Sequence, residues 1–127
     1  MISDKKKVLI VEDERPLLEV LTDKFELEGF KVHTATDGEA GLKEAIQHHP
    51  DIILLDIVMP KMDGLTMLNE LRKNVWGKTA NVIMLTNLSD WKSTDKAIIQ
   101  DVHEYMVKSD WKIEDVVKKV KSKLHVS

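Results

Sequence analysis

The 127-residue chain has no cysteine, so neither a disulfide nor a thiolate metal site can form, and a small secreted scaffold held by disulfides is excluded. No apolar run comes near the roughly 20 residues that span a bilayer. The opening MISDKKKVLIVEDE carries a short basic run, but its apolar stretch VLIV stops at an acidic pair, which is no signal peptide. A cytoplasmic chain, neither secreted nor embedded, is expected. Basic excess is lacking too: the net charge of -3 leaves no electrostatic footprint for direct nucleic-acid binding. Linkers, repeats and low-complexity segments are absent. What remains is 43% hydrophobic and 32% charged, an ordinary globular balance at a length that fits one domain.

Four short apolar runs recur: VLIV at 8–11, IILL at 52–55, VIML at 82–85 and the weaker YMV at 105–107. Continuous runs of this kind mean strands buried on both faces, as parallel sheets require. FKVHTA at 30–35 alternates apolar and polar, as an edge strand does, and brings the count to five. Between them lie helical patterns. Pro16 suits a first helical turn; Leu18, Leu21, Phe25 and Glu28 follow at helical spacing, and Gly29 is a stop. Asp37 can cap a second helix carrying Leu42, Ala45 and Ile46, ending before Pro50. A third starts at Gly64 or Leu65 with Leu68 and Leu71 on one face, a fourth is expected near 91–100, and a last around 113–124 shows Val116, Val117, Val120 and Leu124 in one stripe. Strand and helix alternate five times. That order predicts an α/β sandwich with helices on both faces of a parallel sheet and right-handed crossovers.

In such sheets ligands bind beyond the carboxyl ends of the strands. The residues there are Glu12 and Asp13 after the first strand, Asp56 after the third, Thr86 after the fourth and Lys108 after the fifth. If the first and third strands are neighbours, three carboxylates converge. At about 4 Å and an effective dielectric near 20, each pair repels by about 4 kcal/mol, so the cluster must hold protons or bind a cation. An all-oxygen site favours Mg²⁺. Lys108 adds a positive charge and Thr86 a hydroxyl, both suited to phosphate oxygens.

The ordered set VLIVEDE, LLDIVMPKMDG, MLT and YMVK resembles the response-regulator receiver domain, similar to the single-domain chemotaxis regulator, over essentially the whole chain. The resemblance implies a flavodoxin-like (βα)₅ three-layer sandwich, a five-stranded parallel sheet of order 2-1-3-4-5, and one receiver domain over 1–127 with no output domain visible. It implies a phosphorylation-activated signalling switch of a two-component system, catalysing no more than its own phosphorylation and slow dephosphorylation. Asp56 is the implied phosphoacceptor, served by a sensor histidine kinase, a phosphotransfer protein or a small phosphodonor. Asp13 and Asp56 would ligate Mg²⁺, with the Val58 carbonyl as a further ligand and Glu12 acting through water. Lys108 would pair with the phosphoryl group, and Thr86 and Tyr105 would act as the switch. The surface of the fourth helix, fifth strand and fifth helix would then meet a downstream protein or output domain, the chain being a monomer or a weak phosphorylation-dependent dimer.

Some residues depart from that pattern. Ser109 stands where the family has proline in a cis bond, which would cost roughly 3 kcal/mol without proline. Asn87 follows Thr86 where a small residue is usual, and QDVHEYMV lacks the usual glycine or alanine. The positions that tune dephosphorylation hold Val58 and Leu88, neither of which can activate water, so a long-lived phosphorylated state is expected. Other readings are plainer: Asp63 before Gly64 as a turn residue, Lys5 to Lys7 as a solvated edge, His48 and His49 as helix-end residues rather than metal ligands, Trp91 and Trp111 as packing. Two alternatives stay open. One is a receiver-like scaffold that works without phosphorylation. The other is a Mg²⁺-dependent phosphohydrolase, against which stands the missing second carboxylate of an Asp-x-Asp motif at Asp56-Ile57-Val58.

Overall fold

The computed structural model describes residues 5–57, 59–86, 105–107 and 112–126. The apolar runs become five strands: β1 (Lys7–Val11), β2 (Lys31–Ala35), β3 (Ile52–Asp56), β4 (Val82–Thr86) and β5 (Tyr105–Val107). All are paired in parallel, in the order β2-β1-β3-β4-β5. The expected flavodoxin-like order is therefore found, with the alternating segment at an edge. Among the described residues the helices are α1 (Arg15–Leu27), α2 (Gly38–His48), α3 (Gly64–Lys73) and a last helix, Ile113–Leu124, and a 3₁₀ turn spans Gly77–Thr79. The helix expected near 91–100 lies outside the described residues, as do Trp91 and Trp111.

Because strand side chains alternate, the sheet sorts its apolar residues onto two faces. Val8, Ile10, Ile52, Leu54, Ile83 and Leu85 pack under α1 and the last helix. Leu9, Val11, Ile53, Leu55, Val82 and Met84 pack under α2 and α3. This is the three-layer sandwich, with a core on each side of the sheet. Local chemistry sets the ends of the helices. Pro16 occupies the first turn of α1, and Gly29 continues past its end at φ 93°, a conformation that glycine adopts without strain. Asp37 accepts a hydrogen bond from the Ala40 N–H at 2.8 Å and Asp63 one from the Thr66 N–H at 2.8 Å, so both are N-caps. Asp63, read from sequence as a turn residue, is the cap of α3.

Lys7 is not a solvated edge residue: it begins β1, donates its N–H to the Asp51 carboxylate at 2.7 Å, and its ammonium reaches the His48 carbonyl at 3.2 Å. Lys5 and Lys6 are exposed, as expected. No helix among the described residues is long and apolar enough to cross a membrane.

Candidate functional site

Strand register places the acids. Val11 pairs with Leu55, so the residues one step on, Glu12 and Asp56, stand side by side at the carboxyl edge of adjacent central strands. Asp56 is the last residue of β3 and shares its sheet face with Leu54 and Ile52. It is 4% exposed, Glu12 is fully buried and Asp13 is exposed. One carboxylate oxygen from each of Glu12, Asp13 and Asp56 lies within 4.8 Å of the other two. Two oxygens on one Mg²⁺, each at about 2.0–2.1 Å from it, lie at most about 4.2 Å apart, so small side-chain rotations suffice for a shared ion. The donors are all hard oxygens and anionic, and the set fits Mg²⁺. Two partly or wholly buried carboxylates beside a third make a poor apolar core and a good cation site.

Backbone hydrogen bonds fix the frame around this cluster. Glu12 N–H donates to the Ala35 carbonyl at 3.0 Å, and a Glu12 carboxylate oxygen accepts from the Glu14 N–H at 3.3 Å. Past Asp56 the chain leaves the sheet, Ile57 N–H still reaching the Leu85 carbonyl at 3.3 Å. The loop then returns: Gly64 N–H donates to the Ile57 carbonyl at 2.7 Å, and the Met62 carbonyl accepts from Gly38 N–H at 2.8 Å. Two glycines make this return possible. A Cβ on Gly64 would stand 2.0 Å from the Asp56 carbonyl oxygen, and one on Gly38 would stand 2.1 Å from the Met62 carbonyl oxygen. Lys61 turns the loop at φ 65° and brings its ammonium 3.9 Å from the Asp37 carboxylate.

Of the residues expected at the site, Glu12, Asp13 and Asp56 are brought together. Thr86 ends β4 one step beyond Leu85, the register partner of Asp56, and pairs with Val107 of β5, where Tyr105 is the first residue. Val58, Leu88 and Lys108 lie outside the described residues, as do Asn87 and Ser109. Sequence reasoning took Gly64 only as a helix start and gave Gly38 no role. Their close approaches depend on backbone distances, although the Asp63-Gly64 pair marked one of them.

This arrangement has counterparts in known proteins. Residues 8–121 match the family described as response regulator receiver domain. The probable transcriptional regulator ycf27 of Guillardia theta is 37% identical over 107 residues, 84% of this chain and 41% of that protein, so the chain spans less than half of that relative's length. Among solved structures, the response regulator protein TrrA from Thermotoga maritima, in complex with Mg(2+)-BeF, is 34% identical with a TM-score of 0.80, covering 92% of this chain and 97% of that one. The CheX-CheY-BeF3-Mg+2 complex from Borrelia burgdorferi gives 34% identity and a TM-score of 0.79, over 94% of this chain and 89% of that one. With the family match over residues 8–121 and the likeness in sequence and fold to these proteins, the chain belongs to the response regulator receiver domain family of two-component signalling.

Proposed function

We propose that the chain is a phosphorylation-activated switch, a single receiver domain over residues 1–127 in which Asp56 accepts a phosphoryl group from a sensor histidine kinase, a phosphotransfer protein or a small phosphodonor. The observation that carries this is the convergence of Glu12, Asp13 and Asp56, with their carboxylate oxygens within 4.8 Å at the carboxyl edge of β1 and β3. Asp13 and Asp56 would hold Mg²⁺ with the Val58 carbonyl, and Glu12 would act through water; the bound ion would neutralise carboxylate and phosphoryl oxygens. A carboxylate oxygen of Asp56 attacks phosphorus in line. The new P–O bond forms as the bond to the donor breaks, and its electron pair leaves with the donor's imidazole nitrogen or acetate oxygen. Lys108 supplies a fixed positive charge to the transferred group and Thr86 a hydroxyl. The added charge biases a two-state arrangement of Thr86 and Tyr105, which alters the surface offered to a downstream protein or output domain.

Intact mass after incubation with Mg²⁺ and acetyl phosphate tests the reading. A stable phosphoryl adduct, lost in Asp56→Asn, supports it. Sustained donor turnover instead means a phosphohydrolase, and no adduct under any donor means a scaffold. The same adduct reports lifetime. Val58 and Leu88 offer no group to orient water, so the adduct should outlast that of Val58→Asn combined with Leu88→Glu; equal decay would remove those two residues from any tuning role.

A further inference from the structure

A second group of ligating side chains lies at the sheet's edge, away from the acidic cluster. His33 on β2 shares a face with Ala35, whose side chain is in the core under α2. Glu44 and His48 stand one turn apart on α2, with the Glu44 carboxylate 3.1 Å from His48 Nε2. The imidazoles of His33 and His48 stack at 4.1 Å between centroids and 17° between planes. One ligand atom from each of His33, Glu44 and His48 lies within 4.8 Å of the other two. An ordinary helix ion pair accounts for Glu44 and His48. It does not account for His33, whose Nε2 is buried and has no hydrogen-bond partner. A buried polar atom without a partner carries a cost that a ligand would remove.

We propose that His33, Glu44 and His48 form a second metal site, for a borderline divalent transition ion such as Zn²⁺, which ties the edge strand β2 to α2. Two imidazoles and one carboxylate are a three-ligand zinc set that leaves a fourth position for water, and they are the wrong chemistry for Mg²⁺. With metal–ligand distances of about 2.0–2.2 Å, two donors on one tetrahedral ion stand about 3.3–3.6 Å apart. The Glu44–His48 pair is already near that spacing, and the stacked rings must turn about χ2 to aim both lone pairs at one point. Burial, followed by the neighbouring His48, lowers the pKa of His33. Lys31 and Lys7 repel a cation there, while Glu44 attracts one.

The test is zinc titration of the tag-free, chelator-stripped chain, followed by thermal melting and by the histidine ring resonances in NMR. Zn²⁺ should raise the melting temperature and shift the ring signals of His33 and His48, whereas Mg²⁺ should move neither ring. Zinc affinity should fall by roughly tenfold or more in His33→Gln and in His48→Gln, and stay unchanged in Asp56→Asn. If a variant melts too low to compare, the ring shifts of the wild type decide alone. Zinc that binds His33→Gln as well as wild type, that needs Asp56, or that leaves both rings unshifted overturns the proposal.

Discussion

Gly64→Ala is expected to damage both stability and phosphorylation, because the missing Cβ is what lets α3 begin against the end of β3. The added carbon would stand 2.0 Å from the Asp56 carbonyl oxygen, 2.9 Å from its carbonyl carbon and 3.0 Å from Ile57 Cα. Carbon–oxygen contacts settle at about 3.3 Å, so β3 and α3 must separate by about 1.3 Å. Backbone lies on both sides, and no side chain can swing away. Overpacking of this kind costs about 1–3 kcal/mol. The separation also strains the Gly64 N–H bond to the Ile57 carbonyl, now 2.7 Å, worth about 1 kcal/mol. Against this, alanine restricts the unfolded chain and returns about 0.4–1 kcal/mol. The net loss is about 1–3 kcal/mol, or about 3–15 °C in melting temperature for a domain of this size. Urea denaturation should show the lower midpoint at unchanged slope, and acetyl phosphate should label the variant more slowly because the backbone carrying Asp56 has moved. Gly29→Ala is the control: its φ is 93° but nothing lies within 4 Å, so it should lose about 1 kcal/mol by backbone strain and keep its labelling rate. Labelling of Gly64→Ala at the wild-type rate, with stability no lower than that of Gly29→Ala, would refute the reasoning.

Three further outcomes follow from charge. Asp13→Asn relieves repulsion beside Glu12 and Asp56, so the metal-free protein should gain up to about 1 kcal/mol, and the stabilisation that Mg²⁺ gives wild type should shrink; urea titrations with and without Mg²⁺ read both. His33 has a folded-state pKa below its ordinary 6.5, so the unfolded chain takes up its proton first, and stability should fall as pH drops from about 6.5 through the lower folded value. Melting curves across that range should fall less steeply in His33→Leu. Glu28 is held below the usual carboxylate range by its hydrogen bond and charge pairing with Lys121, 2.5 Å away and joining the end of α1 to the last helix. Its folded pKa is the depressed one, so its contribution is present above the unfolded value and lost as pH falls through the folded one. The stability gap between wild type and Glu28→Gln should therefore close in acid, and also in high salt.

Much of the fold was legible because burial on two faces leaves a simple mark. The runs at 8–11, 52–55 and 82–85 each sit inside a strand, and the alternating segment is the edge strand β2. The strand order was not legible from periodicity, since nothing in VLIV or IILL says which strands are neighbours; it came through the family resemblance. The acids were readable as strand-end residues, but their meeting required the pairing of Val11 with Leu55. Lys7 looks solvated in the sequence because it stands beside two other lysines, and only the position of Asp51 and of the His48 carbonyl shows why it is held. His33 is inconspicuous in the sequence for a similar reason. In an alternating strand it passes as a polar position, and only the packing of α2 turns it inward.

The placement of the acids follows from the crossovers. From β1 the chain passes over one face by α1 to β2, then over the other face by α2 to β3 on the far side of β1. The connections leaving β1 and β3 therefore diverge, which is the topology that opens a crevice beyond the carboxyl ends of parallel strands. Carboxylates there lie at the end of the two apolar cores and interrupt neither of them. Both central strands can then stay wholly apolar from Val8 to Val11 and from Ile52 to Leu55, each of these residues having no exposed surface. Asp56 can occupy a strand position because β3 needs only those four residues for the core, while the fifth stands at the carboxyl edge with Glu12 and Asp13.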